Sequence, residues 1–255
     1  MTGPETILIT GAGSGIGRGL ALGLADKGFS ILAADMDVAS AGVTAEAVRA
    51  RSGSATALAL DVTDAASIEK ASAALASAPD VLINNAGLQF VARLESFPAE
   101  DWERLVDVML NGACRMTRAV LPFMREKGRG RVVNIGSIHS LVASPYKSAY
   151  VAAKHGLLGF SKTIALETAD TDITINTICP SYVRTPLVDQ QIAAQAEEHG
   201  ISEEEVISEI MLKPMPKGAF IAIDEIVGAV EFLISDAARN ITGQEIVMDG
   251  GWTCR

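Results

Sequence analysis

The stretch ETILITGAGSGIGRG, from Glu5 to Gly19, decides how this chain folds. Its first half is an apolar run typical of a buried parallel strand, and its second half is a glycine-rich turn that leads into a helical pattern. Gly11, Gly15 and Gly17 permit a tight turn and let a diphosphate approach the backbone amides at the helix N-terminus. A strand, a glycine turn and a helix in this order predict a nucleotide-binding α/β fold.

The rest of the chain repeats the alternation of short apolar runs with longer helical patterns. Six further runs predict strands: FSILAAD, ATALALD, DVLINNAG, GRVVNIGS, DITINTIC and QEIVMDG. Seven strands with helical crossovers predict one domain over residues 1–255, a Rossmann-type α/β fold with a doubly wound parallel sheet. Residues 185–217 depart from this rhythm with two polar helical pieces that end at Pro214 and Pro216. An insertion after the carboxyl end of a strand overhangs the ligand crevice, so we expect a small helical substrate lid there.

Composition narrows the class of protein. The 255 residues are 49% hydrophobic, and 21 basic against 31 acidic side chains give a formal net charge of −10, which argues against nucleic acid and anionic membranes as partners. No apolar run approaches the roughly 20 residues that span a bilayer, and the N-terminus lacks the layout of a signal peptide. Three separated cysteines without a CxxC pair indicate reduced thiols rather than disulfides or a zinc site. We therefore expect a cytoplasmic protein without a metal.

An acidic residue at the end of the second strand indicates which dinucleotide binds. The carboxylate of Asp35 can accept hydrogen bonds from both ribose hydroxyls of NAD, and it repels the 2′-phosphate of NADP. No Arg or Lys lies beside it, and the glycine turn carries Ser14 where a basic residue could meet that phosphate. The sequence predicts NAD rather than NADP.

Two further strand ends supply candidate cofactor contacts. Asp61 and Val62 follow the third strand, beside the adenine side of the crevice. Asn84 and Asn85 end the fourth strand, where they can hydrogen-bond backbone across the strand ends; the spacing alone allows a simple turn equally well.

A serine, a tyrosine and a lysine form the candidate chemical centre. Ser137 follows the fifth strand, at the sheet edge where catalytic groups collect in such folds. Tyr150 and Lys154 are four residues apart, so they lie on one helix face, one turn apart. A nearby ammonium favours the phenolate and predicts a lowered pKa for Tyr150, which suits a general base that deprotonates an alcohol. Ser137 can hydrogen-bond the same alcohol oxygen.

TGAGSGIG, NNAG, the strand end at Ser137 and the run YVAAK match, in order and spacing, the motifs of the short-chain dehydrogenases/reductases, which the chain resembles over essentially its whole length. The resemblance implies a catalytic group of Asn111, Ser137, Tyr150 and Lys154, in which Asn111 holds a water that relays protons through Lys154. It also implies contact between residues 180–185 and the nicotinamide; the family usually has glycine at Ser181. The predicted cofactor contacts are Gly11, Ser14, Gly15, Ile16, Gly17, Asp35, Asp61, Val62, Asn85, Tyr150, Lys154, Val183 and Thr185.

Four further polar residues lie in loops or the lid near the catalytic edge: Gln89, His139, Lys147 and Gln191. They offer one fixed positive charge and several hydrogen-bond donors, a suitable set for a single carboxylate. From the residues alone, a solvated Lys147 and a packed or capping His139 are equally good readings.

NNAGLQF, ICPSYVRTPLVDQQI and the lid run ISEEEVISEIMLKPMP resemble, within that family, the bacterial D-3-hydroxybutyrate dehydrogenases. This resemblance implies a reversible NAD-dependent oxidation of (R)-3-hydroxybutyrate to acetoacetate. The substrate contacts would be Gln89, Ser137, His139, Lys147, Tyr150 and Gln191. It also implies a homotetramer in which Trp252 lies close to a neighbouring subunit's active site.

Other functions stay open at this point. The fold also suits an NAD-dependent dehydrogenase of another small hydroxy acid or of a polyol. An acetoacetyl-thioester reductase fits less well, because Asp35 disfavours NADPH. A catalytically silent NAD-binding regulator is the non-enzymatic alternative.

Overall fold

The computed structural model describes residues 5–73 and 78–254 of the chain. Seven parallel strands form one sheet: β1 (Thr6–Thr10), β2 (Ser30–Asp35), β3 (Ser54–Ala59), β4 (Val81–Asn84), β5 (Arg129–Ile135), β6 (Asp172–Pro180) and β7 (Glu245–Met248). Their order across the sheet is β3-β2-β1-β4-β5-β6-β7. Each of the seven predicted runs forms a strand, so the prediction of a doubly wound parallel sheet is confirmed.

Helices connect the strands and cover both faces of the sheet. They are α1 (Gly15–Asp26), α2 (Val38–Ala50), α3 (Ala65–Ala73), α4 (Ala99–Val106), α5 (Gly112–Lys127), α6 (Ser148–Glu167), α7 (Pro186–His199), α8 (Glu203–Glu205) and α9 (Ile223–Ile234). Between α4 and α5, Asp107–Asn111 winds as a π-helix. None of the helices in the described ranges is long and apolar enough to cross a membrane.

The central strand β1 shows how the core is divided. Successive side chains of a strand point to opposite faces, so Ile7 and Ile9 face one layer and Leu8 the other. Ile7 and Ile9 pack with Leu24 of α1, in the layer that α9 completes. Leu8 packs with Val120 of α5 on the opposite face. All of these side chains are buried, which explains why the strand runs are apolar throughout.

The strand order reverses between β1 and β4. The chain proceeds from β1 to β2 and β3 on one side, then returns to pair β4 with β1 and continues to β7 on the other side. A crevice opens at the carboxyl ends of the strands at such a reversal, and ligands of open α/β sheets bind there. The glycine turn, the Asn84–Asn85 pair and Ser137 follow β1, β4 and β5, so all three lie at this edge.

The predicted lid consists of α7, α8 and the π-helical segment Val206–Met211 that continues α8. Ile192, Val206 and Met211 are buried together and form a small core of their own. Gly200 ends α7 in the left-handed region, with φ +64°, which favours glycine. Two helical pieces in 185–217 are therefore confirmed, the second with wider π winding.

Candidate active site

The glycine turn after β1 has no room for side chains. Gly11 has φ +65°, and a Cβ on Gly17 would lie 2.1 Å from the carbonyl oxygen of Gly11. The Asn85 amide nitrogen donates to the carbonyl oxygens of Thr10 (2.9 Å) and Gly11 (3.1 Å), which fixes the turn from the end of β4. The side chain of Asn85 thus shapes the turn rather than pointing its donors at a ligand.

The N-terminus of α1 is suited to an anion. Ser14 precedes the helix in an extended conformation and its hydroxyl caps no backbone amide. The first turn of α1 contains no acidic residue, so the positive end of the helix dipole is not neutralised. Free amides, the dipole and the bare glycine turn together fit a diphosphate.

Asp35 lies against this turn from the end of β2. Its carboxylate accepts hydrogen bonds from the backbone amides of Gly13 (2.9 Å) and Asp37 (3.0 Å). Met36 and Asp37 follow it, so no basic residue comes next in the chain. The carboxylate oxygens keep further lone pairs for ribose hydroxyls.

The end of β3 adds Asp61 and Val62. The carboxylate of Asp61 accepts from the backbone amide (2.9 Å) and the hydroxyl (2.7 Å) of Thr63. Val62 is buried and packs so closely on Gly112 that a Cβ there would lie 2.7 Å from its Cγ2 atom. Both residues therefore form a rigid wall at the predicted adenine side.

Ser137, Tyr150 and Lys154 come together as predicted. Ser137 follows β5, and the other two lie one turn apart in α6. The Ser137 hydroxyl accepts from the backbone amide of His139 at 3.2 Å and hydrogen-bonds the Tyr150 hydroxyl. The Lys154 ammonium lies 5.7 Å from the centre of the Tyr150 ring and donates to the carbonyl oxygen of Ile135 at 2.7 Å.

The predicted direction of the Tyr150 pKa is wrong. Burial raises this pKa above its ordinary value, against the opposing effect of the hydrogen bond with Ser137. Burial also lowers the pKa of Lys154 to about 8. Desolvation penalises the charged form of each group, and the spacing of Tyr150 and Lys154 in the sequence does not reveal it. The ammonium, moreover, is directed at the carbonyl of Ile135.

The side chain of Asn111 is bound to a neighbouring carboxylate. It is exposed at the end of the π-helix, and its amide donates to the carboxylate of Asp107 at 2.9 Å, which also binds Arg115. Met109, two residues earlier, is buried and lies beside Lys154. The π-helix turns these two positions to different sides, which the sequence did not reveal. The role of Asn111 in holding a water beside Lys154 stays a prediction.

A pocket of about 140 Å³ opens beside Ser137 and Tyr150. All four residues predicted to bind a carboxylate line it: Gln89, His139, Lys147 and Gln191. Lys147 is the one side chain with a fixed charge among the described residues of its lining. The four come from the loop after β4, the loop before α6 and the lid, so the tertiary structure gathers residues 102 positions apart.

Polar atoms in this pocket lack protein partners. Within the described part of the chain, the His139 Nδ1 and Gln89 Oε1 atoms are buried without a hydrogen bond, and Lys147 forms no ion pair. Burial lowers the pKa of Lys147. Burial, and then repulsion by Lys147, lowers the pKa of His139 to about 4, so its imidazole is neutral at pH 7. Buried polar groups are normally paired, and these atoms indicate a polar ligand.

The backbone before Lys147 is strained. Tyr146 has φ +65°, a conformation unusual for an aromatic residue and one that costs roughly 1–3 kcal/mol. Its carbonyl oxygen accepts from the amide of Ala92 at 3.0 Å, and the Arg93 guanidinium lies 5.4 Å from its ring centre. These contacts hold the loop that turns Lys147 into the pocket. No local pattern in the sequence predicts this conformation.

Two aromatic residues form a wall that the sequence analysis did not predict. Trp252 stacks on Tyr182, with ring centres 6.3 Å apart, and meets His139 edge-on at 6.0 Å. The ammonium of Lys147 lies 5.8 Å from the centre of the Tyr182 ring. Trp252 therefore contacts two residues that line the pocket of its own chain, and its proximity to a neighbouring subunit's active site stays a prediction. The position of Tyr182 just beyond β6 was the available signal.

The segment after β6 links the pocket to the glycine turn. Val183, Thr185 and Ile16 line the pocket, and Thr185 caps α7 by accepting a hydrogen bond from Val188 at 3.4 Å. A Cβ on Gly15 would lie 3.8 Å from the methyl group of Thr185. Ser181 is not in the left-handed region, so its backbone does not require the glycine usual in the family.

Fold and site define a nucleotide-dependent oxidoreductase, and residues 5–196 match the short chain dehydrogenase family. The chain belongs to that family. The comparison favours an enzyme over the alternative of a silent nucleotide-binding regulator.

Two relatives cover essentially the whole chain. It is 44% identical to a D-beta-hydroxybutyrate dehydrogenase of Rhizobium meliloti (strain 1021), over 98% of this chain and 99% of the relative. It is 43% identical to a D-beta-hydroxybutyrate dehydrogenase of Cupriavidus necator, over 100% of both. Among solved structures, an actinorhodin polyketide ketoreductase with NADPH aligns with a TM-score of 0.93 and 32% identity, over 98% of this chain and 97% of that one.

Proposed function

We propose that the chain catalyses the reversible, NAD-dependent oxidation of (R)-3-hydroxybutyrate to acetoacetate. One observation carries the choice of an anionic substrate. Lys147 lies in the pocket beside Tyr150 without a carboxylate partner among the described residues, in a protein of net charge −10. A buried cation without a counterion is costly, and a substrate carboxylate supplies the missing charge. The names of the two relatives support the same substrate.

The carboxylate would be held at the end of the pocket opposite the reacting hydroxyl. Lys147 provides the charge, and the amides of Gln89 and Gln191 provide directed hydrogen bonds. His139 is neutral, so it adds no second positive charge to the pocket. A pocket of about 140 Å³ suits a four-carbon acid rather than a long chain.

Ser137 and Tyr150 would hold the substrate hydroxyl, and Tyr150 would take its proton during oxidation. Lys154 stabilises the phenolate by its charge at 5.7 Å from the ring. Because burial raises the pKa of Tyr150, the rate of oxidation should rise with pH in the neutral to alkaline range. A bound nicotinamide supplies the hydride acceptor in this chemistry.

We also propose NAD as the preferred cofactor. The carboxylate of Asp35 lies 2.9 Å from the amide of Gly13, where it would meet a 2′-phosphate at short range. The diphosphate would lie on the amides of Gly11, Ser14, Gly15, Ile16 and Gly17. Asp61, Val62, Asn85, Val183 and Thr185 would line the rest of the cleft. Reduction of NAD at a much lower KM than NADP is the expected result.

Further proposals concern the domain organisation, the oligomeric state and the location of the protein. We propose that residues 1–255 work as one domain, with 185–217 as a lid over the pocket. The working form is proposed to be a homotetramer in the cytoplasm.

The test is an NAD reduction assay with (R)- and (S)-3-hydroxybutyrate, longer 3-hydroxy acids, a polyol and neutral 2-butanol. The (R)-acid should be the best substrate. Lys147→Met should raise its KM at least tenfold, because a charged hydrogen bond is worth about 1.5–3 kcal/mol, and should leave 2-butanol unchanged. Lys27→Met removes an exposed lysine that pairs with Glu231, and it should match the wild type. Equal use of acid and neutral alcohols, or an unchanged KM in Lys147→Met, would contradict the carboxylate pocket.

A further inference from the structure

Two loops at the carboxyl edge of the sheet each carry a residue that lines the substrate pocket. Gln89 lies in the loop after β4, and Lys147 ends the loop that leads into α6. Residues 85–93 form neither helix nor strand. If such loops were free to move, ordering them when a ligand binds would cost conformational entropy and weaken binding. Contacts that fix the two loops beforehand therefore favour a small ligand held between them.

The two loops are joined beside these pocket residues. The backbone amide of Ala92, three residues after Gln89, donates to the carbonyl oxygen of Tyr146 at 3.0 Å. The guanidinium of Arg93 lies 5.4 Å from the centre of the Tyr146 ring, within the range of a cation–π contact. Tyr146 directly precedes Lys147 in the chain. We call these two contacts the Arg93–Tyr146 clamp.

The backbone of Tyr146 indicates that its side chain has a role. A φ of +65° is free for glycine but strained for an aromatic residue, and strain of this kind collects at functional sites. Within residues 5–73 and 78–254, Ser52 is the one other non-glycine residue with a positive φ, also 65°. Ser52 lies just before β3, at the amino-terminal edge of the sheet, on the side opposite the pocket. It is therefore a matched control for the effect of strain alone.

We propose that Arg93 and Tyr146 are positioning residues that set the affinity for the substrate carboxylate. The Arg93–Tyr146 clamp holds the loops of Gln89 and Lys147 at a fixed separation before the substrate binds. Neither clamp residue is among the described residues that line the pocket, so both act through their neighbours. This inference rests on the proposed function, because its ligand is the substrate acid. It concerns KM rather than kcat, since the clamp does not touch the hydroxyls of Ser137 and Tyr150.

Tyr146→Gly separates this role from simple support of the fold, because it removes the ring and relieves the backbone strain together. The urea midpoint of unfolding should be equal to or higher than that of the wild type. The KM for (R)-3-hydroxybutyrate should rise at least about fivefold, while kcat stays within about twofold. Ser52→Gly relieves the same strain away from the pocket. It should raise the unfolding midpoint and leave KM unchanged.

Substitutions on the other side of the clamp test the same contact. Arg93→Met removes the cation, and KM should rise about two- to fivefold, because an exposed cation–π contact is worth a factor of that size. Arg93→Lys keeps a cation and Tyr146→Phe keeps a ring, so both should stay within about twofold of the wild type. The double variant Arg93→Met/Tyr146→Gly should have the KM of Tyr146→Gly alone, because both changes break one contact.

Hydrogen exchange measures the clamp without the substrate. The Ala92 amide is bonded to Tyr146, so its exchange in the ligand-free chain should be at least about fivefold faster in Tyr146→Gly and Arg93→Met than in the wild type. Ser52→Gly should exchange like the wild type. A wild type that does not oxidise 3-hydroxybutyrate would contradict the proposed function but not the clamp, which the exchange rates then decide alone.

Two results would overturn the inference. One is exchange of the Ala92 amide at the wild-type rate in both Tyr146→Gly and Arg93→Met. The other is an unchanged KM for the acid in these variants, or a fall in kcat without a change in KM. Arg93 is exposed, so Arg93→Met decides if Tyr146→Gly does not fold.

Discussion

His139 and Lys147 line one pocket, and burial moves the pKa of each in the same direction, toward the neutral form. The effect of these lowered pKa values on the protonation state at pH 7 differs between the two groups. His139 is neutral there, since its pKa of about 4 lies far below the pH. Lys147 begins from a much higher ordinary value, so it can carry the charge that selects an acid. The pKa values of these two residues therefore depend mainly on desolvation and less on neighbouring charges.

The lowered pKa of His139 predicts how the free energy of unfolding changes in acid. Its pKa is lowered in the folded chain, so unfolding below pH 6.5 binds a proton that the folded state does not. Its contribution is complete above pH 6.5 and is lost as the pH falls toward 4, by up to about 3 kcal/mol. Urea unfolding of His139→Gln at pH 7, 6, 5 and 4 should show a shallower loss of unfolding free energy than the wild type. His155→Gln, at an exposed position, is the control and should follow the wild type. Parallel curves for all three proteins would show that folding does not lower the pKa of His139.

At the scale of elements, the turn between β1 and α1 leaves no room for a side chain at Gly17. Its shape depends on the absence of a Cβ at Gly17 and on the two hydrogen bonds from Asn85. Both conditions leave the backbone at the helix N-terminus accessible to an anion. The close contact at Gly17 is 2.1 Å for a hypothetical Cβ, far inside van der Waals distance, and the atom it would meet is backbone.

Gly17→Ala should therefore lower the free energy of unfolding by about 2–3 kcal/mol and abolish binding of NADH in a fluorescence titration. Gly42→Ala is the matched control within α2, since a Cβ there would meet nothing within 4 Å. It should raise the free energy of unfolding by about 0.5–1 kcal/mol, because alanine loses less backbone entropy in a helix, and leave NADH binding intact. Binding by Gly17→Ala at the wild-type affinity would show that the turn can rearrange.

At the scale of the molecule, apolar side chains remain exposed around the outer strand β7. Leu166 of α6, Phe232 of α9 and Val247 of β7 are 80%, 47% and 37% exposed. An unpaired edge strand with apolar neighbours on both layers is a natural surface for association. This supports the proposed homotetramer, and we propose that the β7 edge forms one of its contacts.

Light scattering should accordingly give the mass of several copies for the wild type. Val247→Lys places a charge on the edge strand and should lower that mass. Val43→Lys changes an exposed valine of α2, which packs near the opposite edge of the sheet, and should keep the wild-type mass. A monomeric wild type would contradict the proposed assembly, and an unchanged mass in Val247→Lys would move the contact elsewhere.

The sequence by itself determined the strands, the glycine turn, the lid helices and the placement of Ser137, Tyr150 and Lys154. These features depend on local properties: apolar periodicity, the steric freedom of glycine, and a spacing of four residues in a helix. They also match motifs of a large family. Because of this resemblance, the sequence predicts that Gln89, His139, Lys147 and Gln191 contact one substrate.

The tertiary structure alone decided what depends on distant neighbours. It turned Asn111 outward and Met109 inward through a π-helix, and it placed Trp252 on the pocket of its own chain. It raised the pKa of Tyr150 where the sequence predicted a lowered one. It also buried the Asn84 Oδ1 atom without a hydrogen-bond partner in the described part of the chain. Desolvation and packing depend on residues that are far apart in the chain. No local sequence pattern therefore predicts them.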